Sequence, residues 1–103
     1  MKPLNIVYLH AHDLGRYCWP YGYAIPAPNV QKLAESGVVF RQAFCATPTC
    51  SASRSALVTG RWPHCNGMFG LASESWGYTL NDYSQHLARF LSRHGYETAL
   101  SGV

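Results

Sequence analysis

The run Leu4–His10 constrains the fold more than any other feature of the chain. It brings Ile, Val, Tyr and Leu together without polar alternation, a pattern typical of a strand buried on both faces of a sheet. Parallel strands are covered in this way by helices on both sides. The run therefore predicts a first strand at 4–10 and an α/β architecture.

The rest of the chain alternates helix and strand patterns. Gly37 and Gly60 each follow a helical pattern as its stop signal, and Asn81 or Asp82 can cap a third helix that runs to about His94. The predicted order is strand 4–10, helix 28–36, strand 38–44, helix 50–59, the capped helix and strand 97–101. This order predicts an α/β fold with a largely parallel sheet flanked by helices. Residues 17–28 and 62–79 are expected to be irregular because they are rich in Gly, Pro and aromatic residues.

The length bears on domain organisation. Three strands and three helices within 103 residues give little cover to a parallel sheet. We therefore expect residues 1–103 to be the amino-terminal portion of a single catalytic domain, apparently truncated. The alternative is a complete small domain.

Composition excludes several classes of protein. Hydrophobic residues make up 48% and charged residues 13%, which excludes a charged disordered tail. The net charge is +3 and the basic residues are scattered, so we expect neither a nucleic-acid partner nor a membrane partner. The longest apolar stretch near the start is too short for a signal peptide, which predicts a cytoplasmic location. Four cysteines in a reducing compartment are expected to be thiols, metal ligands or catalytic groups.

The stretch from Cys50 to Arg61 carries the most chemical information. Cys50 stands where a helix begins, so free N–H groups and the helix dipole favour an anion there. Arg54 lies one turn later and can share that face. A nucleophile beside a fixed cation suits reaction at a tetrahedral oxyanion. The thiol-phosphatase loop is excluded, because Ala56 occupies the position where that loop needs its arginine.

The same stretch resembles the signature of the sulfatase family, in the alkaline-phosphatase-like superfamily. That signature runs Cys, any residue, Pro, Ser, Arg, followed by a helix that ends in Thr-Gly-Arg. The chain matches it at Cys50, Ser53, Arg54, Leu57, Thr59, Gly60 and Arg61. Further similarity lies in residues 4–7, 12–15, 28–40, 63–64 and 95–99. The resemblance therefore spans nearly the whole chain in order.

This resemblance implies a sulfuric ester hydrolase with an alkaline-phosphatase-like fold. A maturation enzyme would oxidise Cys50 to formylglycine, whose hydrated aldehyde attacks the sulfur of a sulfate ester, a sulfated carbohydrate being one candidate. Arg54 would hold the formylglycine and neutralise charge. A divalent cation, usually Ca²⁺ in the family, would bind the modified residue 50 and the sulfate oxygens, with Asp13 and the adjacent His12 as further ligands.

Two positions depart from the family pattern. The family has two successive aspartates on the metal loop, whereas this chain has His12 before Asp13. Imidazole suits Zn²⁺ or Mn²⁺ better than Ca²⁺, so the identity of the metal stays open. The family also has proline where Ala52 stands, which leaves the conversion of Cys50 open.

Two other functions remain as alternatives. A phosphodiesterase or phosphonate monoester hydrolase of the same superfamily shares the fold and, in some members, the nucleophile. A non-enzymatic zinc module is the other, with Cys45, Cys50, His64 and Cys65 as ligands. Its Cys-x₄-Cys spacing lacks the usual tight knuckle, and adjacent His64 and Cys65 make paired ligation awkward.

Overall fold

The regular structure is helical over the residues that the computed structural model describes, which are 4–73, 75 and 77–102. The chain divides into two units, the first ending at Ala43 and the second beginning at Phe44. The elements are a 3-10 turn at Trp19–Tyr21, α1 (Pro28–Ser36), α2 (Cys50–Thr59), α3 (Pro63–Asn66), a second 3-10 turn at Tyr83–Gln85 and α4 (Leu87–Arg93). No helix in these ranges has the length and apolar character needed to cross a membrane.

The first unit is built around α1 and the turn before it. Pro28 is the first residue of α1, a position where its fixed φ suits the helix and its missing N–H costs nothing. The helix ends at Ser36, before Gly37, so the predicted bounds are confirmed. The 3-10 turn at Trp19–Tyr21 contacts α1, and Cys18 just before it is buried.

The three predicted strands are not formed among the described residues: segments 4–10, 38–44 and 97–101 carry no strand structure. Their apolar side chains are exposed, as Phe44 at 90% and Leu100 at 96% show. A parallel strand exists only through hydrogen bonds to neighbouring strands and through cover on both faces. The local pattern was therefore insufficient, because strand formation depends on partners far away in the sequence.

The second unit centres on α2, whose predicted bounds are also confirmed. Gly60 follows the helix at a φ of 65°, the left-handed conformation that glycine adopts at helix ends. Part of the stretch expected to be irregular is instead the short helix α3, which packs against α2. Residues 74 and 76 of that stretch lie outside the described residues. The core beneath α2 consists of Ala52, Met68 and Leu80, with Tyr78 packed against it.

The helix predicted after Asn81 or Asp82 starts later than expected. Asp82 does act as a cap, but of a 3-10 turn: its carboxylate accepts the backbone N–H of Ser84. His86 then adopts an extended conformation, with ψ at 131°, and its side chain accepts the N–H of Ala88. The chain thus begins a second helix, α4, at Leu87. Sequence spacing alone merged two separately capped elements into one.

Candidate functional site

The N-terminus of α2 presents Cys50 to solvent. Thr49 precedes the helix in an extended conformation (φ −80°, ψ 129°), and its carbonyl accepts the N–H of Ser53 at 2.8 Å. Cys50 is therefore the first helical residue; its side chain is exposed and its thiol is free. The backbone N–H groups before Ser53 precede the first intrahelical bond, so they are available to an anion at this end.

Arg54 lies four residues after Cys50 on the same helix. Residues at this spacing are neighbours on a helical surface, and Arg54 is half-buried in the structure. The predicted pair is thus carried by one rigid element. This arrangement places a thiol and a guanidinium on one helix face, which can bring a nucleophile and a cation to the same tetrahedral anion.

A buried polar network anchors the other end of α2. The Asn66 side-chain amide donates to Ser55 Oγ at 3.1 Å and to Thr59 Oγ1 at 3.2 Å. It also lies 3.3 Å from the carbonyl oxygen of Arg61, while its own oxygen accepts the N–H of Met68 at 2.9 Å. Asn66 therefore fixes α2 relative to α3. Sequence analysis missed this residue, because Asn66-Gly67 is equally typical of an exposed turn.

Ala52 stands where the sulfatase signature that this stretch resembles has proline, and it is completely buried. It is the third residue of α2, and the first helical hydrogen bond is made one residue later, by the N–H of Ser53. An N–H at this position has no intrahelical acceptor. Alanine in place of proline therefore neither adds nor removes a helical hydrogen bond at this position.

His12 and Asp13 lie in the first unit, in the loop after segment 4–10. His12 Nδ1 is 3.1 Å from Asp13 Oδ2, and both side chains are largely exposed. Asp13 has a φ of +54°, the only positive φ outside glycine among the described residues. Such left-handed backbone is uncommon outside glycine and tends to occur at functional sites. The predicted metal loop thus has its two donors side by side.

The alternative zinc module is not supported. Cys45, Cys50 and Cys65 carry free, exposed thiols. Over residues 4–73, 75 and 77–102, no three His, Cys, Asp or Glu side chains come together as metal ligands would. This alternative set is therefore not brought together in the described residues, where Cys50 lies on α2, His64 and Cys65 lie on α3, and Cys45 lies in a loop.

Comparison with known proteins gives a consistent result. The family model named Sulfatase matches residues 5–102. Human N-sulphoglucosamine sulphohydrolase is 35% identical over 98% of this chain and 20% of its own length. Human steryl-sulfatase is 36% identical over 95% of this chain and 18% of its own length. Human arylsulfatase A is 34% identical over 98% of this chain and 20% of its own length.

The chain therefore spans about a fifth of the length of the curated relatives that it matches. No solved structure matches it significantly.

Proposed function

The chain belongs to the sulfatase family, and on that premise we propose that the protein hydrolyses sulfate esters with a formylglycine made from Cys50. The position of Cys50 carries the proposal. It is the exposed first residue of α2, followed by the family's Ser53, Arg54 and terminal Thr59-Gly60-Arg61. An exposed thiol at a helix start is accessible both to a maturation enzyme and to an anionic substrate.

The roles of the α2 side chains follow from their positions. Residue 50, once converted, supplies the oxygen nucleophile as the hydrate of its aldehyde. Arg54 holds that residue and neutralises the negative charge of the sulfate group. The free N–H groups of the first turn add partial positive charge at the same end. Nucleophile and positive charge are thus carried at the same end of one helix.

A divalent cation fits the donors of the loop at His12 and Asp13. A carboxylate and an imidazole lie next to each other and face solvent, which is a donor set that divalent cations accept. His12, Asp13 and the modified residue 50 would be ligands from this chain. The cation would supply Lewis-acid stabilisation of the sulfate oxygens. From the family pattern we propose that this cation is Ca²⁺. Zn²⁺ or Mn²⁺ is the alternative, because the imidazole of His12 suits these ions better.

The family also implies an alkaline-phosphatase-like α/β fold. We propose that this chain is the amino-terminal portion of one such domain, and that segments 4–10, 38–44 and 97–101 become strands of its parallel sheet. The exposure of apolar side chains in these segments supports this, because such side chains need cover. We also propose that a formylglycine-generating enzyme matures the protein, that its substrate is a sulfate ester and that it is located in the cytoplasm.

The test is hydrolysis of para-nitrophenyl sulfate by the full-length protein, produced with a formylglycine-generating enzyme. We expect turnover by the wild type and a loss of at least about a thousandfold in Cys50→Ala, in line with removal of a nucleophile. Cys65→Ala, which removes another exposed thiol of the same unit, should retain activity. Preferential hydrolysis of bis(para-nitrophenyl) phosphate or of para-nitrophenyl phenylphosphonate would instead favour the phosphodiesterase or phosphonate hydrolase alternative.

A further inference from the structure

A cavity of about 360 Å³ adjoins the N-terminus of α2, and it has no role in the arrangement described above. Its walls are formed by Thr49, Phe69, Gly70, Leu71 and Tyr78. The volume lies near the lower end of the range for small-molecule sites in proteins. The cavity is therefore large enough for a small organic group, and it lies entirely within the second unit.

One covalent neighbour and one hydrogen bond connect this cavity to the first turn of α2. Thr49 lines the cavity and is also the residue directly before Cys50. On the other side of Cys50, Ser51 Oγ accepts the backbone N–H of Ala72 at 3.1 Å. The loop that carries Phe69 and Leu71 is thereby attached to the first turn of α2. Cavity and nucleophile are consequently held in one local framework.

The packing beneath the cavity fixes the shape of the cavity. Tyr78 rests on the core formed by Ala52, Met68 and Leu80, and its ring centroid is 6.2 Å from that of Phe69 at an interplanar angle of 56°. Gly70 allows this arrangement, because a Cβ there would lie 2.8 Å from the Tyr78 ring. The aromatic walls are thus positioned by core contacts in the absence of any ligand.

The side chains that line the cavity indicate which kind of chemical group binds there. Phe69, Leu71 and Tyr78 supply apolar surface, and no charged side chain lines the cavity within the described residues. Phe69 is 61% exposed, so its ring has free surface that a group bound in the cavity can contact. Aromatic walls favour a ring that packs by its face or edge.

We propose that this cavity binds the alcohol portion of the sulfate ester, and that this portion is an apolar, ring-bearing group. The inference rests on the proposed function, because it needs the ester's sulfur at residue 50. The sulfate group then lies at the N-terminus of α2, and the ring of the alcohol packs against the aromatic pair formed by Phe69 and Tyr78. Phe69 is accordingly a residue that determines specificity.

The test compares two inhibitors of the full-length protein, para-nitrophenol and inorganic sulfate. In Phe69→Ala, we expect the inhibition constant for para-nitrophenol and the Michaelis constant for para-nitrophenyl sulfate to rise about tenfold, as loss of an aromatic contact implies. The inhibition constant for inorganic sulfate should not change, since sulfate does not reach the cavity. Phe69→Leu should give an intermediate rise. Phe90→Ala, which alters an exposed phenylalanine that does not line the cavity, should leave the ratio of the two inhibition constants unchanged.

Three outcomes would overturn the proposal. Equal changes in both inhibition constants would show a general disturbance of the site. Unchanged values would show that another part of the protein fills the cavity. A Phe69-dependent preference for glucose 6-sulfate over para-nitrophenyl sulfate would assign the cavity to a polar sugar. Equilibrium binding of para-nitrophenol to wild type and Phe69→Ala tests the cavity even if no sulfate ester is hydrolysed, so its failure is distinguishable from failure of the proposed function.

Discussion

The Asn66 side-chain amide donates a hydrogen bond to Ser55 Oγ across 3.1 Å, and both residues are buried. Ser55 Oγ in turn donates to the carbonyl of Ala52 at 2.8 Å. A continuous chain of hydrogen bonds therefore runs from α3 to the first turn of α2, two residues after Cys50. This buried contact therefore ties α3 to the helix that begins at Cys50.

Replacement of Asn66 by alanine should destabilise the full-length protein by about 2–3 kcal/mol. The substitution leaves the N–H of buried Met68 without its acceptor and removes the donor to Ser55. The free energy of unfolding can be measured by urea denaturation. Asn29→Ala, at an exposed position of α1, is the control and should change it by less than about 0.5 kcal/mol. Equal effects of the two substitutions would contradict the role given to Asn66.

Gly67 and Gly60 provide a matched pair of glycine positions. Both have positive φ, at 89° and 65°, but a Cβ at Gly67 would overlap the Asn81 side chain, whereas the space around Gly60 is open. Gly60→Ala should therefore cost about 1 kcal/mol from backbone conformation alone. Gly67→Ala should cost somewhat more, about 2 kcal/mol, because the exposed Asn81 side chain must also move away from the new Cβ. Thermal unfolding of both variants measures the difference, and a Gly67→Ala protein as stable as Gly60→Ala would refute this packing.

The lowered pKa of Asp82 predicts how the stability of the protein depends on pH. The hydroxyl and then the backbone N–H of Ser84 hold the pKa of the Asp82 carboxyl below its usual 3.8, with smaller contributions from Gln85 and Arg61. Because the folded state favours the charged form, the stabilisation is present above the unfolded pKa and is lost as pH falls through the folded pKa.

Stability of wild type and Asp82→Asn, followed from neutral pH to about pH 3, should therefore differ near neutrality and converge in acid. Ser84→Ala keeps the carboxylate but removes its strongest donor, so the pKa of Asp82 should rise toward its usual value. A stability difference that grows as pH falls would have the wrong sign and would contradict the assignment.

Local signals were sufficient to predict α1 and α2. Pro28 at a helix start and glycine at positions 37 and 60 are short-range features, and both helices have the predicted bounds. The α4 region shows the limit of such signals. His86 resembles any mid-helix residue in sequence, yet its ring caps a new helix in the structure, because a side-chain acceptor competed successfully with the helical backbone.

The strands and the Asn66 network depend on distant contacts. The apolar run 4–10 is exposed here, because pairing partners decide whether such a run becomes a strand. Asn66 is buried only because α3 packs on α2, and the periodicity of the sequence does not predict that contact. The position of Cys50 at the start of α2, with Arg54 one turn later, could be predicted because both lie within five consecutive residues of one helix.

The loop of His12 and Asp13 was predicted to bind a metal from its resemblance to the family's metal loop, and this stays a prediction; the structure adds the left-handed backbone of Asp13. No periodic pattern encodes a positive φ at an aspartate, since this conformation is imposed by the surrounding chain. The residues of the cavity wall, Phe69 and Tyr78, were likewise not predicted, because they come together only through the glycine between them and the core below.

The state of residue 50 in the active full-length protein tests the central claim most directly. Trypsin cleavage after Arg41 and Arg54 releases peptide 42–54, which contains both Cys45 and Cys50, so Cys45 is an internal control for thiol oxidation. After alkylation, mass spectrometry should find Cys45 alkylated and position 50 unalkylated and lighter by about 18 Da, as expected for a thiol oxidised to an aldehyde. A fully active protein in which Cys50 is alkylated like Cys45 would contradict the account.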